Sequence, residues 1–135
     1  MIPLFKVYMD KDAHKEVKKV LNSGFIGQGP KVEEFESELR EYFGTDFVST
    51  VNAATSAEHL ALHMLKTPIM ETFDGCAQRE IWPGMEDGDE VLTTPLTCTA
   101  TNWPILANNL NIKWVDVDKK TLNMDFEDLE SKITK

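Results

Sequence analysis

The stretch Phe47-Val48-Ser49-Thr50-Val51-Asn52-Ala53-Ala54-Thr55-Ser56-Ala57 runs from strand-forming residues through small ones into a helix start. A turn of this kind aims free backbone N–H groups and the positive end of a helix dipole at one point, and small side chains let an anion come close. Thr55 and Ser56 are therefore candidate ligands of a phosphate group. Thr55-Ser56-Ala57-Glu58 also has the capping-box pattern, in which the Thr55 hydroxyl and the Glu58 carboxylate satisfy first-turn amides, so plain helix capping accounts for the same residues. A second cluster, Thr94-Pro95-Leu96-Thr97-Cys98-Thr99-Ala100-Thr101-Asn102, follows the next strand-like run, at the edge where parallel α/β sheets bind ligands. A threonine-rich helix cap is the bland reading of that cluster.

Three further groups carry less. His59 and His63 are four apart, as zinc pairs are, but no third ligand of suitable spacing follows, so packing or exposure is expected and no metal. Glu86, Asp87, Asp89 and Glu90 lack the alternation of a calcium loop and read as a solvated turn. Cys76 and Cys98 are the only cysteines and have no C-x-x-C spacing, so reduced thiols are expected, with Cys76 inert or exposed.

The elements that must position these groups follow from periodicity. Ala13, Val17, Val20 and Leu21 form one apolar stripe of a helix from Asp12 to Ser23, with Gly24 placed to end it. Pro30 suits a first helical position, and Val32, Phe35, Leu39 and Tyr42 carry a second helix to Gly44. Phe47 to Val51 reads as a strand, Ser56 to about Lys66 as a helix, and Glu90 to Thr94 and Ile112 to Val117 as strands. Between those last two, Thr99 to Leu106 is a possible helix, although Pro104 would kink it unless it lay in the first turn. Asp125 caps a final segment carrying Phe126, Leu129 and Ile133. The segment from Thr67 to Asp89, rich in proline, glycine and acids, reads as a loop or excursion. Strands alternating with helices predict an α/β architecture with a largely parallel sheet.

Composition sets the bounds. The 135 residues are 41% hydrophobic, 27% charged and 9% aromatic, the make-up of an ordinary globular domain, and one domain is expected. A chain of this length can bury roughly two thirds of its unfolded surface. With 23 Asp plus Glu against 14 Lys plus Arg, the net charge of -9 repels polyphosphate and anionic lipid, so neither nucleic acid nor a membrane is an expected partner. No apolar run approaches the ~20 residues that span a bilayer. The start, MIPLFKVYMDKD, lacks a basic stretch followed by an apolar one, and a cytoplasmic location is expected.

Five strings occur together in order: Gly24-Phe25-Ile26-Gly27-Gln28-Gly29-Pro30-Lys31-Val32-Glu33-Glu34-Phe35-Glu36, Asn52-Ala53-Ala54-Thr55-Ser56-Ala57, Gly88-Asp89-Glu90-Val91, Pro95-Leu96-Thr97-Cys98-Thr99-Ala100-Thr101-Asn102 and Val115-Asp116-Val117-Asp118. In this arrangement the chain resembles the start of the DegT/DnrJ/EryC1/StrS family, sugar aminotransferases that use pyridoxal phosphate, over nearly its whole length except residues 67–83. The resemblance implies an α/β fold, the N-terminal part of the large domain of a fold-type-I, aspartate aminotransferase-like transferase with an incomplete sheet. Residues 1–135 would be that fragment, with an excursion at about 67–89.

The same resemblance implies roles. Thr55 and Ser56 match the family residues that hold the cofactor phosphate. Cys98 stands where the family usually has an aromatic side chain stacked on the pyridine ring. Gly27 and Gln28 match a segment near the substrate or the dimer interface. The complete enzyme would move an amino group from an amino acid, glutamate, to a nucleotide-linked keto sugar. It would work as a homodimer or with a completing chain. Such chemistry needs a Schiff-base lysine and a carboxylate at the pyridine nitrogen. In the family both lie downstream of any segment matched here, so no catalytic residue is assigned and the chain alone is expected to be inactive. Two alternatives stay open: a dehydratase of the same family, and a non-catalytic remnant or subunit. In the family arrangement the strand matching Phe47 to Val51 lies apart from the other two, so it would lack partners here.

Overall fold

A computed structural model describes residues 5–73 and 77–134, which divide between Thr50 and Val51 into two compact units. In the first, α1 (Ala13–Ser23) and α2 (Pro30–Phe43) form where the apolar spacing predicts them. Each ends on a glycine in the left-handed region, Gly24 at φ +79° and Gly44 at φ +66°, where a Cβ would be strained. Neither helix has a buried residue: Val17, Leu21, Phe35 and Tyr42, from the predicted stripes, are all exposed.

Residues 47–51 do not form the expected strand. A strand needs a neighbour for its N–H and C=O groups, and side chains of α2 take that place instead. Thr50 donates its N–H and its hydroxyl to Glu36 Oε1 at 2.7 and 2.9 Å, and Arg40 reaches the Val48 carbonyl at 3.4 Å. The Thr50 donors, helped by the Arg40 charge, hold the Glu36 carboxyl below its ordinary range.

The second unit holds α3 (Ala54–Leu65), β1 (Ile69–Phe73), β2 (Ala77–Trp82), β3 (Glu90–Thr93), α4 (Thr99–Ala107), β4 (Asn111–Trp114) and α5 (Phe126–Lys132). Strands β3 and β4 pair in parallel, from Glu90 opposite Asn111 to Thr93 opposite Trp114, with α4 as the crossover between them. Helix α4 packs on α3 and against β4. The core gathers at this crossover, in Ile105, Leu110 and Val115 with the ring of Pro104. Pro104 lies beyond the first turn, yet α4 continues through it to Ala107. Its carbonyl accepts both the backbone N–H and the side-chain amide of Asn108, at 3.2 and 2.8 Å, which closes the helix end. Asp125 caps α5 as expected, accepting from the N–H groups of Glu127 and Asp128 at 2.9 and 3.2 Å.

The expected loop at 67–89 is instead largely an antiparallel hairpin, β1 with β2, carrying one irregularity between Ile69 and Met70. Its prolines, Pro68 and Pro83, lie just outside the strands and so bound them rather than break them. The base of the hairpin closes α3: the Trp82 indole N–H and the Met85 N–H both donate to the Leu65 carbonyl, at 2.7 and 2.9 Å. Gly84 sits at φ +87°, and a Cβ there would lie 2.6 Å from the Lys66 carbonyl oxygen. Of the acids, Glu86, Asp87 and Asp89 lie in an exposed turn, within which Asp87 pairs with Lys66, and Glu90 opens β3. Cys76 lies outside the described residues.

Candidate functional site

Helix α3 starts one residue before Thr55. Ala53, extended at φ −159° and ψ 153°, is the N-cap, and its carbonyl accepts the N–H groups of Ser56 and Ala57 at 3.0 and 3.2 Å. The capping box expected of Thr55 and Glu58 therefore does not form, because both residues already lie inside the helix. Asn52 Oδ1 accepts the Ser56 hydroxyl at 2.8 Å and ties the incoming chain to the first turn. No acid stands in that first turn, whereas α1, α2 and α5 each carry at least one there. The positive end of α3 is thus left without a neutralising side chain of its own.

Thr55 and Ser56 meet at a hollow of about 180 Å³, whose other walls are His59 and Trp103. Thr55 and His59 are four apart on one helix face, and Trp103 reaches the hollow from α4. The His59 and Trp103 rings lie 6.2 Å apart, tilted by 32°. Asn108 fixes the two helices behind them, donating its amide to the carbonyls of His59 and Pro104 at 3.1 and 2.8 Å. The contacts of Trp103 with the start of α3 and of Asn108 with its middle mean that α3 and α4 run in the same direction. The arrangement offers the Thr55 hydroxyl and first-turn amides to an anion, with two aromatic rings alongside, while the Ser56 hydroxyl proton is held by Asn52.

The other expected residues lie apart from this hollow. Cys98 is the N-cap of α4, exposed, and does not line it. In the first unit, Gln28 lines a hollow of about 360 Å³ with Gly29, Val32, Glu33, Glu36 and Arg40, and Gly27 lines another of about 340 Å³ beside α1 and α2. His63 is exposed, and no group of three or more metal-ligating side chains is gathered among the described residues. Among the described helices, none is long and apolar enough to cross a membrane. Sequence reasoning weighed His59 only as half of a metal pair and passed over Trp103. The spacing from Thr55 to His59 was a usable signal for the first; only the packing of α4 on α3 reveals the second.

Comparison with known proteins gives this geometry a setting. Residues 7–135 match the DegT/DnrJ/EryC1/StrS aminotransferase family. Among solved structures, AtS13 from Actinomadura melliaura is 47% identical with a TM-score of 0.76, over 99% of this chain and 31% of that one. The sugar aminotransferase CalS13 from Micromonospora echinospora is 46% identical with a TM-score of 0.74, over 99% of this chain and 32% of that one. The E. coli GDP-4-keto-6-deoxy-D-mannose-3-dehydratase with bound hydrated PLP is 26% identical, with a TM-score of 0.74, over 98% and 31%. The chain spans about 30% of the length of the curated relatives it matches. With mixed α/β elements of a partial fold-type-I domain, the chain belongs to the DegT/DnrJ/EryC1/StrS aminotransferase family.

Proposed function

We propose that this chain is the N-terminal part of the large domain of a pyridoxal-phosphate enzyme that moves an amino group from glutamate to a nucleotide-linked keto sugar. The observation that carries the reading is the meeting of Thr55 and Ser56 at one hollow, at the acid-free start of α3. The Thr55 hydroxyl and first-turn amides suit a phosphomonoester, and the Ser56 hydroxyl joins them on exchanging Asn52 for the phosphate, so the residues fit the phosphate end of the cofactor. When bound, that cofactor supplies an electron sink for the carbon that bears the amino group. Thr55 and Ser56 bind and orient its phosphate, and Cys98, exposed at the start of α4, faces its ring. Gly27 and Gln28 belong to the substrate or dimer side of a cytoplasmic homodimer.

The identity of 46% to a sugar aminotransferase against 26% to a dehydratase favours amino transfer over dehydration. Thr55→Ala tests the reading in the full-length protein. Losing one hydrogen bond to a charged phosphate weakens cofactor binding by about 1–2 kcal/mol, roughly 5- to 30-fold. Unchanged affinity would return Thr55 to a plain first-turn residue.

A further inference from the structure

We infer that Trp103 is a further ligand-binding residue of this site, its indole walling the phosphate end of an aromatic phosphomonoester. The inference rests on the phosphate reading of Thr55 and Ser56. The hollow holds about 180 Å³, below the roughly 300 Å³ at which pockets enclose a whole drug-sized ligand. It therefore takes the phosphate and the first atoms attached to it, while the remainder passes over the rim. Besides Thr55 and Ser56, the hollow is lined by His59, one turn further along α3, and by Trp103 from α4.

Trp103 lies on the helix that packs on α3. Trp82 commits its indole N–H to the Leu65 carbonyl, and Trp103 makes no such bond among the described residues. The 32° tilt between the His59 and Trp103 rings, with centroids 6.2 Å apart, is not a stacked pair closed upon itself, so indole surface stays open to a third group. The His59 end of this wall is held by the Asn108 side chain at the His59 carbonyl. An apolar or aromatic body leaving the hollow meets a ring already in place.

The test uses full-length apo-protein labelled with 5-fluorotryptophan and titrated with pyridoxamine phosphate, which binds without a covalent bond. The Trp103 ¹⁹F resonance is assigned by its loss in Trp103→Phe. Saturable binding should shift the Trp103 resonance while leaving those of Trp82 and Trp114 in place. Trp103→Phe should keep the affinity within about threefold. Trp103→Ala should weaken it three- to tenfold, the scale of one aromatic contact. A stationary Trp103 resonance, in a protein whose binding is still weakened by Thr55→Ala, overturns the inference and leaves the phosphate reading standing. Binding that Thr55→Ala does not touch overturns both. If Trp103→Ala does not fold, the wild-type shift and the Trp103→Phe affinity decide.

Discussion

Asn108→Ala measures how far the positioning of α3 depends on one buried amide. Asn108 is 4% exposed, and its side chain donates to the His59 carbonyl at 3.1 Å and the Pro104 carbonyl at 2.8 Å. Each bond between neutral groups contributes about 1 kcal/mol net, so truncation removes about 2 kcal/mol. The larger cost of a stranded acceptor does not arise at Pro104, whose carbonyl keeps the Asn108 backbone N–H at 3.2 Å. Native-state hydrogen exchange reads the loss at two amides of the core: Leu110 N–H, bonded to the Ile105 carbonyl at 3.1 Å, and Val115 N–H, bonded to Thr93 at 2.8 Å. At 1.4 kcal/mol per decade, both should exchange about 30-fold faster in the variant. Rates within threefold of wild type would refute the reasoning, because the Asn108 amide would then contribute nothing to the lock between helices.

Gly84→Ala places a Cβ 2.6 Å from the Lys66 carbonyl oxygen at φ +87°, and urea unfolding should show a loss of about 1–3 kcal/mol as the hairpin base shifts. Asp128 is held below the ordinary aspartate range by the Lys132 ammonium and then by the Asp116 N–H, so the stability it contributes is present at neutral pH and lost as pH falls through the folded-state value. Asp128→Asn should flatten that acid slope, read from the exchange of the Asp116 amide between neutral and acidic pH; an unchanged slope would show the pair to be inert. Residues 1–135 alone, with Val17, Leu21, Phe35 and Tyr42 exposed and 47–51 without a ladder, should self-associate or need a completing chain. A cooperative, well-protected monomer in sedimentation and exchange at micromolar concentration would oppose this. Borohydride reduction of the same chain with pyridoxal phosphate should give no single stoichiometric lysine adduct, as mass spectrometry will show.

Much of the local structure was legible because it depends on neighbours in sequence. Apolar spacing and two glycines define α1 and α2, and the Asp125 carboxylate meets the amides of its own first turn in α5. The parallel pair β3 and β4 follows from two strand-like runs on either side of a helix. Thr55 and Ser56 were recognisable as a pair because adjacent residues at a helix start cannot be far apart. What failed to show depends on distant partners. The strand composition of 47–51 is real, but pairing needs a neighbouring strand, and Glu36 of α2 takes the Thr50 donors instead. The hairpin at 69–82 was hidden because proline and glycine signal a break without saying whether they interrupt strands or bound them. Trp103 joins the hollow only because α4 packs on α3, with Asn108 reaching across 49 positions of sequence to hold His59, a pairing that no periodicity records. Residue type and spacing determined which atoms could bind a phosphate; helix packing decided which rings stand beside them.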